Sequence, residues 1–170
     1  MPTSFDGLPL HPLIVHATVV LVPLAALMVA LHVLWPRFRA WSGPLPAAAS
    51  LVALALVPLS TSTGETLEER VERTELVERH ADIAEQLLPW VIGLAVLAVV
   101  AWMVQRRVDR GSTVARPVVL GIAVLAVVAA AGTTVQVARI GHAGAKASWA
   151  DTDMSSSGRS SDDSGDDDDD

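Results

Sequence analysis

The chain has 170 residues, of which 51% are hydrophobic and 18% are charged, and its formal net charge is −7. This composition is too apolar for an ordinary soluble domain of this length, and it indicates a membrane protein. Cysteine is absent, which excludes disulfide bonds, iron–sulfur clusters held by thiolates and thiol redox catalysis. Any redox chemistry must therefore depend on a bound cofactor.

Four segments contain no Lys, Arg, Asp or Glu: residues 7–36, 40–64, 86–105 and 117–138. Each segment reaches the roughly 20 residues that a helix needs to cross a hydrocarbon core about 30 Å thick. Their apolar residues run continuously, whereas a membrane β-barrel would alternate them with polar residues. We therefore predict an all-α fold, with a four-helix transmembrane bundle formed by residues 1–150. Its spans are approximately residues 12–35, 44–63, 87–105 and 117–138.

The distribution of arginine predicts how these spans are oriented. The connection after the first span contains Arg37 and Arg39, and residues 106–116 after the third span contain four arginines against Asp109. Short connections that are rich in Lys and Arg stay in the cytoplasm. We therefore predict a multi-pass protein of the cell membrane, with both termini and the central connection on the extracytoplasmic side.

The central connection has a helical pattern of its own. Ser62 and Glu65 have the spacing of a capping box at a helix start, and apolar residues recur beyond them at steps of three and four. We predict an amphipathic extracytoplasmic helix over approximately residues 64–86, with His80 on its apolar side. This helix either folds over the mouth of the bundle or runs straight into the third span. In the straight arrangement, His80 stands about 13 Å above Pro89 and is too high to meet the other histidines.

Four histidines fall at the span ends that this orientation places outside the cytoplasm: His11, His16, His80 and His142. Imidazole binds metal ions and haem iron, and it transfers protons near neutral pH. His16 lies about one turn inside an apolar run, where an ionisable residue usually faces the bundle interior and has a function. His11 precedes Pro12, and we interpret it as an interfacial residue, with a ligand role as the alternative.

Polar residues recur every three positions at the outer end of the fourth span. They are Thr133, Gln136, Arg139 and His142. We predict that they line one side of the helix and point towards a site. The alternative is that they mark the place where the helix leaves the membrane. The remaining histidine, His32, lies beside Trp35 near the other end of the first span and is interpreted as interfacial.

The last residues of the chain have a different composition. Residues 151–170 are rich in serine and end in five aspartates. Such a segment cannot bury an apolar core, so we predict a disordered acidic tail.

Several short motifs resemble one known family. They are the opening His11-Pro12-Leu13-Ile14-Val15-His16, Thr63-Gly64 after the second span, His80 before the third, and Arg139-Ile140-Gly141-His142-Ala143-Gly144-Ala145 followed by Trp149. Over roughly residues 9–150, the chain resembles the domain-of-unknown-function family 2231 of small predicted membrane proteins with four spans. The resemblance implies a four-span fold and no particular activity.

Two hypotheses of different classes remain open. In the first, the extracytoplasmic end of the bundle binds haem b or a transition-metal ion for electron transfer. Haem would be bound by His16, His80, His142 and Arg139, whereas a metal ion would be bound by His11, His16, His80 and His142. In the second, the chain is a cofactor-free accessory or structural subunit of a larger membrane complex. We expect contact with the lipid bilayer in both cases, other membrane proteins or a homo-oligomer as further partners, and no nucleic acid.

Overall fold

The computed structural model describes residues 4–5, 8–68 and 74–149. The described chain consists of six helices and one pair of two-residue strands. In chain order they are β1 (Ser4–Phe5), β2 (Leu8–Pro9), α1 (Leu10–Leu34), α2 (Pro36–Ser42), α3 (Leu45–Glu68), α4 (Glu75–Glu85), α5 (Leu87–Asp109) and α6 (Arg116–Trp149). The two strands pair antiparallel immediately before α1. The predicted acidic tail, residues 151–170, lies outside the described residues.

Four helical segments are long and apolar enough to cross a membrane, which confirms the predicted all-α fold with four spans. They are His11–Leu34, Leu45–Leu67, Glu75–Asp109, which joins α4 and α5, and Arg116–Trp149. Consecutive spans run in opposite directions because short connections join them. We call the end of the bundle that carries His11, His80 and Gly144 the histidine end, and the end that carries Arg39 and Arg106 the arginine end.

The core between the helices is made mainly of alanine and valine. Towards the arginine end it contains Ala26, Val29, Ala47, Leu94, Ala98, Ala126, Ala129 and Ala130. Towards the histidine end it contains Val22, Ala25, Ala53, Val57, Leu87, Val91 and Val137. Small side chains let helices approach closely, and this close packing is what drives helix association in lipid. Many large apolar side chains point outward instead, as Val20, Leu34 and Leu120 do, each 64% exposed.

The second span continues beyond its predicted end. We predicted a new helix start at Ser62 and Glu65, but α3 runs through both residues to Glu68. Within this helix, the Ser62 hydroxyl donates to the Leu59 carbonyl oxygen at 3.1 Å. A serine hydroxyl that bonds to the preceding turn does not cap a new helix. The prediction of a capping box at Ser62 is therefore wrong.

The amphipathic helix α4 is shorter than predicted and begins later, at Glu75. Thr74 is its N-cap residue, because its hydroxyl oxygen accepts from the backbone N–H of Val77 at 3.3 Å. Glu75 and Glu78 lie in the first turn, where carboxylates interact favourably with the helix dipole. Gln86 then joins α4 directly to α5.

The last span, α6, is longer than the predicted span at 117–138. It has 34 residues, which correspond to about 51 Å at 1.5 Å per residue, well beyond a hydrocarbon core of about 30 Å. Its last turns therefore extend past the apolar part of the bundle at the histidine end. They carry Arg139, His142 and Lys146.

Trp90 of α5 packs directly against Gly132 of α6. A Cβ atom built on Gly132 would lie 2.0 Å from the Trp90 Cζ3 atom, a separation at which atoms overlap. The indole ring therefore occupies the space that any other residue at position 132 would need. Gly121, on the same helix, has nothing within 4 Å of a Cβ atom built there.

We expect Gly132→Ala to lower the melting temperature of the detergent-purified protein by several degrees, because the rigid indole must move out of the interface. Overpacking of this kind typically costs about 1–3 kcal/mol. The matched control is Gly121→Ala, which should leave the melting temperature unchanged or raise it, since alanine favours helix more than glycine does. Tryptophan fluorescence on heating measures both variants. Equal melting temperatures for the two would contradict the proposed packing.

Candidate functional site

His11, at the start of α1, is held against the end of α3. Its Nδ1 lies 3.2 Å from the Ser60 carbonyl oxygen and 3.3 Å from the Thr63 Oγ1. The Thr63 hydroxyl donates to carbonyl oxygens of its own helix, so both groups act as acceptors towards His11. The proton of the neutral ring therefore belongs on Nδ1, and Nε2 keeps its lone pair.

The ring of His11 also lies against Gly64. A Cβ atom built on Gly64 would come within 3.0 Å of the His11 Cε1 atom. A larger residue at this position would push the ring away from its hydrogen-bond acceptors. The Thr63-Gly64 pair, which the sequence analysis noted only as a family motif, thus provides both an acceptor and the space for the imidazole.

His80 packs against α6 in a similar way. A Cβ atom built on Gly144 would lie 3.0 Å from the His80 Cε1 atom. The Nδ1 atom of His80 is buried and has no hydrogen-bond partner in the part of the chain that the structure describes. Gln86 has helical φ and ψ, and residues 75–109 form one continuous helical segment, so α4 continues from α5 along α6 and does not fold over the mouth of the bundle.

Gln136 holds α4 in this position. This residue is 4% exposed, and its side-chain Nε2 donates to the Ile83 carbonyl oxygen at 2.9 Å. Ile83 lies in the last turn of α4, where carbonyl groups have no partner within their own helix. The side-chain amide of Gln136 therefore supplies the hydrogen bond that the Ile83 carbonyl oxygen lacks within α4. Thr133, one turn away on α6, is fully buried.

The His11 and His80 imidazoles both lie at the histidine end of the bundle. They come from different helices, α1 and α4, and each packs on a glycine near the end of a span. We call these two residues the histidine pair. The pair is smaller than the predicted set of four histidines.

His16 points away from the histidine pair. Its side chain is exposed, and its Nδ1 bonds to the Pro12 carbonyl oxygen of its own helix. At about 100° per residue, His16 lies about 160° around α1 from the buried Thr18, whereas His11, seven residues before Thr18, shares its face. The expectation that His16 faces the bundle interior is therefore wrong.

The polar residues of α6 do not form one side of the helix. Thr133 and Gln136 are buried, whereas Arg139 and His142 are exposed. Each three-residue step falls about 60° short of a full turn, so the four positions wind halfway around the helix. The prediction that all four residues point towards one site is wrong for this reason.

The chemistry available at the histidine end follows from these positions. Among the described residues, which include all five histidines, no group of three or more His, Cys, Asp or Glu side chains could hold a metal ion.

His32 is a buried polar residue that the sequence analysis assigned to the membrane interface. It is 3% exposed, and its Nδ1 lies 3.3 Å from the Ser42 Oγ at the end of α2. The burial of His32 could have been predicted from helical periodicity, because His32 continues a stripe of buried residues at steps of three and four. The stripe consists of Thr18, Val22, Ala25, Val29 and His32.

Comparison with known proteins agrees with this architecture. The model of a family described as predicted membrane protein, DUF2231, matches residues 7–153. The chain belongs to this family. Its described helices therefore form a multi-pass membrane protein of DUF2231, and the family description names no activity. No curated protein and no solved structure gave a match.

We expect Gln136→Leu to loosen α4 from α6, because the Ile83 carbonyl oxygen loses its donor. A buried polar group left without a partner costs about 1–3 kcal/mol, so backbone amides of α4 should exchange with deuterium roughly ten- to a hundredfold faster. Hydrogen exchange read by mass spectrometry in micelles measures this. Thr134→Val is the control, since the Thr134 hydroxyl donates only to Ala130 in its own helix. Unchanged exchange in α4 would show that Gln136 does not hold it.

Proposed function

We propose that this DUF2231 protein binds haem b, or failing that a transition-metal ion, at the histidine end of the bundle and transfers electrons there. His11 and His80 are the proposed ligands. The observation that carries the proposal is that two imidazoles from different helices lie at the same end of the bundle, each with a ring nitrogen that has no hydrogen bond among the described residues. For His11 this nitrogen is Nε2, because Nδ1 is engaged by Ser60 and Thr63. A bond of Nδ1 to a carbonyl oxygen is typical of metal-binding histidines.

For His80, the available nitrogen is Nδ1. It is buried and without a hydrogen-bond partner within the described ranges. An unpaired buried polar atom costs about 1–3 kcal/mol, and a ligand at this atom would remove that cost. The glycines beside the two rings, Gly64 and Gly144, let the imidazoles themselves lie close to the backbone.

The number of ligands favours haem over a bare metal ion. Porphyrin supplies four of the six ligands of haem iron, so two histidines complete the coordination. Protein zinc sites instead use three or four side chains, and no group of three is present among the described residues. The exposed cations near this end, Arg79, Arg139 and Lys146, are suitable partners for haem propionates. Haem would supply one-electron chemistry, and the chain would fix its position.

The second candidate is a cofactor-free accessory or structural subunit of a larger membrane complex. In this case His11 joins α1 to α3 through Ser60 and Thr63 as a structural residue. Exposed apolar side chains along the spans would then contact other membrane proteins or a second copy of the chain as well as lipid.

We also propose that the arginine end lies in the cytoplasm of a cell membrane and the histidine end outside it. The support is the arginine content of the connections at that end, including Arg37, Arg39, Arg106, Arg107 and Arg110. Short connections with this excess of positive charge are retained on the cytoplasmic side.

The haem proposal is tested on protein expressed with haem supply and purified in detergent. We expect a Soret band and sharp α and β bands after reduction, with elemental iron in the same sample. His11→Ala and His80→Ala should each reduce occupancy at least tenfold, because each would remove one of the two proposed protein ligands. His16→Ala and His142→Ala are the matched controls, and both should retain the spectrum. A colourless protein without metal would overturn cofactor binding and leave the accessory role.

The orientation is tested with single cysteines, since the chain has none of its own. We expect Glu75→Cys, at the histidine end, to react with a membrane-impermeant maleimide in intact cells. Ser112→Cys, in the connection between α5 and α6, should react only after the membrane is permeabilised. Both positions are exposed, so a difference in labelling reports on sidedness. The opposite pattern would reverse the proposed orientation.

A further inference from the structure

A cavity of about 600 Å³ lies at the arginine end, at the opposite end of the bundle from the histidine pair. Its walls come from α1, α2, the connection between α2 and α3, and α5. The side chains that matter for its chemistry are His32, Arg39, Trp102, Gln105, Arg106 and Asp109. The cavity is far larger than a water molecule needs and is lined by charged, amide and aromatic groups together.

The charge of the cavity is positive. Arg39 and Arg106 both line it, and Asp109 is the single acidic side chain of the lining. The Asp109 carboxylate already accepts a hydrogen bond from the Gln105 Nε2 at 2.6 Å. The Arg106 guanidinium lies 5.1 Å from the centroid of the Trp102 ring, which fixes its position by a cation–π contact. Two guanidinium groups on different helices therefore face one shared space with one carboxylate to balance them.

A third donor comes from His32. Its Nε2 is buried and lacks a hydrogen-bond partner among the residues that the structure describes. Its Nδ1 lies 3.3 Å from the Ser42 Oγ. When the Ser42 hydroxyl donates to Nδ1, the ring proton resides on Nε2, which can then donate into the cavity. The buried imidazole thus has an unused donor where both arginines converge.

We propose that this cavity binds a phosphate group, held by Arg39 and Arg106 and by a hydrogen bond from His32. Guanidinium groups bind phosphate oxygens with two parallel hydrogen bonds, which combine charge with fixed geometry. Basic pockets between membrane helices bind the head groups of anionic lipids. The phosphate belongs either to such a head group or to a free phosphate ion, and the volume of the cavity accommodates both.

The test uses the full chain purified in detergent. Phosphatidylglycerol is the anionic lipid probe, phosphatidylcholine is the zwitterionic control, and inorganic phosphate is the free ion. Native mass spectrometry measures retained lipid, and calorimetry measures phosphate binding. Binding of phosphatidylglycerol alone assigns the site to a lipid head group, whereas binding of inorganic phosphate assigns it to the free ion. Failure of both to bind, or equal retention of phosphatidylcholine, would overturn the proposal.

Variants locate the binding. Arg39→Ala and Arg106→Ala should each weaken binding about ten- to a hundredfold, the usual effect of losing a hydrogen bond between charged groups. Arg107→Ala is the matched control. Arg107 is the next residue after Arg106 and carries the same charge, but its side chain is exposed and does not line the cavity. Binding that falls equally in all three variants would overturn the proposal, since net charge alone would then explain it.

Arg106→Ala also removes the cation–π contact with Trp102, which lowers the stability of the protein. Arg39→Ala and His32→Asn therefore test phosphate binding independently of that contact. Each variant is compared with the wild type by melting temperature. Weaker binding at an unchanged melting temperature supports the proposal, whereas wild-type affinity in a folded Arg39→Ala variant would overturn it. The haem proposal concerns the other end of the bundle, and neither result depends on it.

Discussion

The close approach of helices through small side chains is the constraint on which the rest of this structure depends. In lipid, apolar side chains gain nothing by leaving the solvent, so helices associate through packing and a few hydrogen bonds. The buried positions here are mainly alanine and valine, with an indole of α5 lying directly on Gly132 of α6. The large apolar residues are left on the outside, where lipid covers them. A core of this kind has little room for polar groups in its middle, so the polar groups gather at its ends.

The two ends of the bundle consequently differ in chemistry. At the histidine end, α4 packs along α6, where Gln136 donates to the Ile83 carbonyl oxygen and His80 lies against Gly144. At the arginine end, α2 and α5 bring two guanidinium groups to the same cavity as His32. Each end also contains a buried imidazole nitrogen without a partner among the described residues, Nδ1 of His80 and Nε2 of His32. Unsatisfied atoms of this kind are costly in a low-dielectric surrounding, and a hydrogen-bonding ligand at either atom would remove that cost.

The four spans could be predicted because continuous apolar length is enough to identify a helix that crosses a membrane. The histidine face of α1 could also have been predicted, because helical periodicity places His11 and His32 on the buried stripe and His16 opposite it. The position of His16 one turn inside the first span predicted that it faces the bundle interior. The side of the helix on which a residue lies predicts its burial better than its depth along the span does. The polar residues at every third position of α6 likewise do not share one side of the helix. Steps of three residues turn progressively around the helix, so the later residues lie away from the core.

The sequence by itself determined the number of spans, the membrane environment, the absence of thiol chemistry and the positive charge of one end. These properties follow from composition and local pattern, which need no knowledge of neighbouring helices. Only the tertiary structure decided that α4 packs along α6, that Gly64 and Gly144 receive the two imidazoles, and that Arg39 and Arg106 share a cavity with His32. These contacts join residues dozens of positions apart. They depend on how helices rotate and cross, and an all-apolar helix contains too little asymmetry to fix its own rotation.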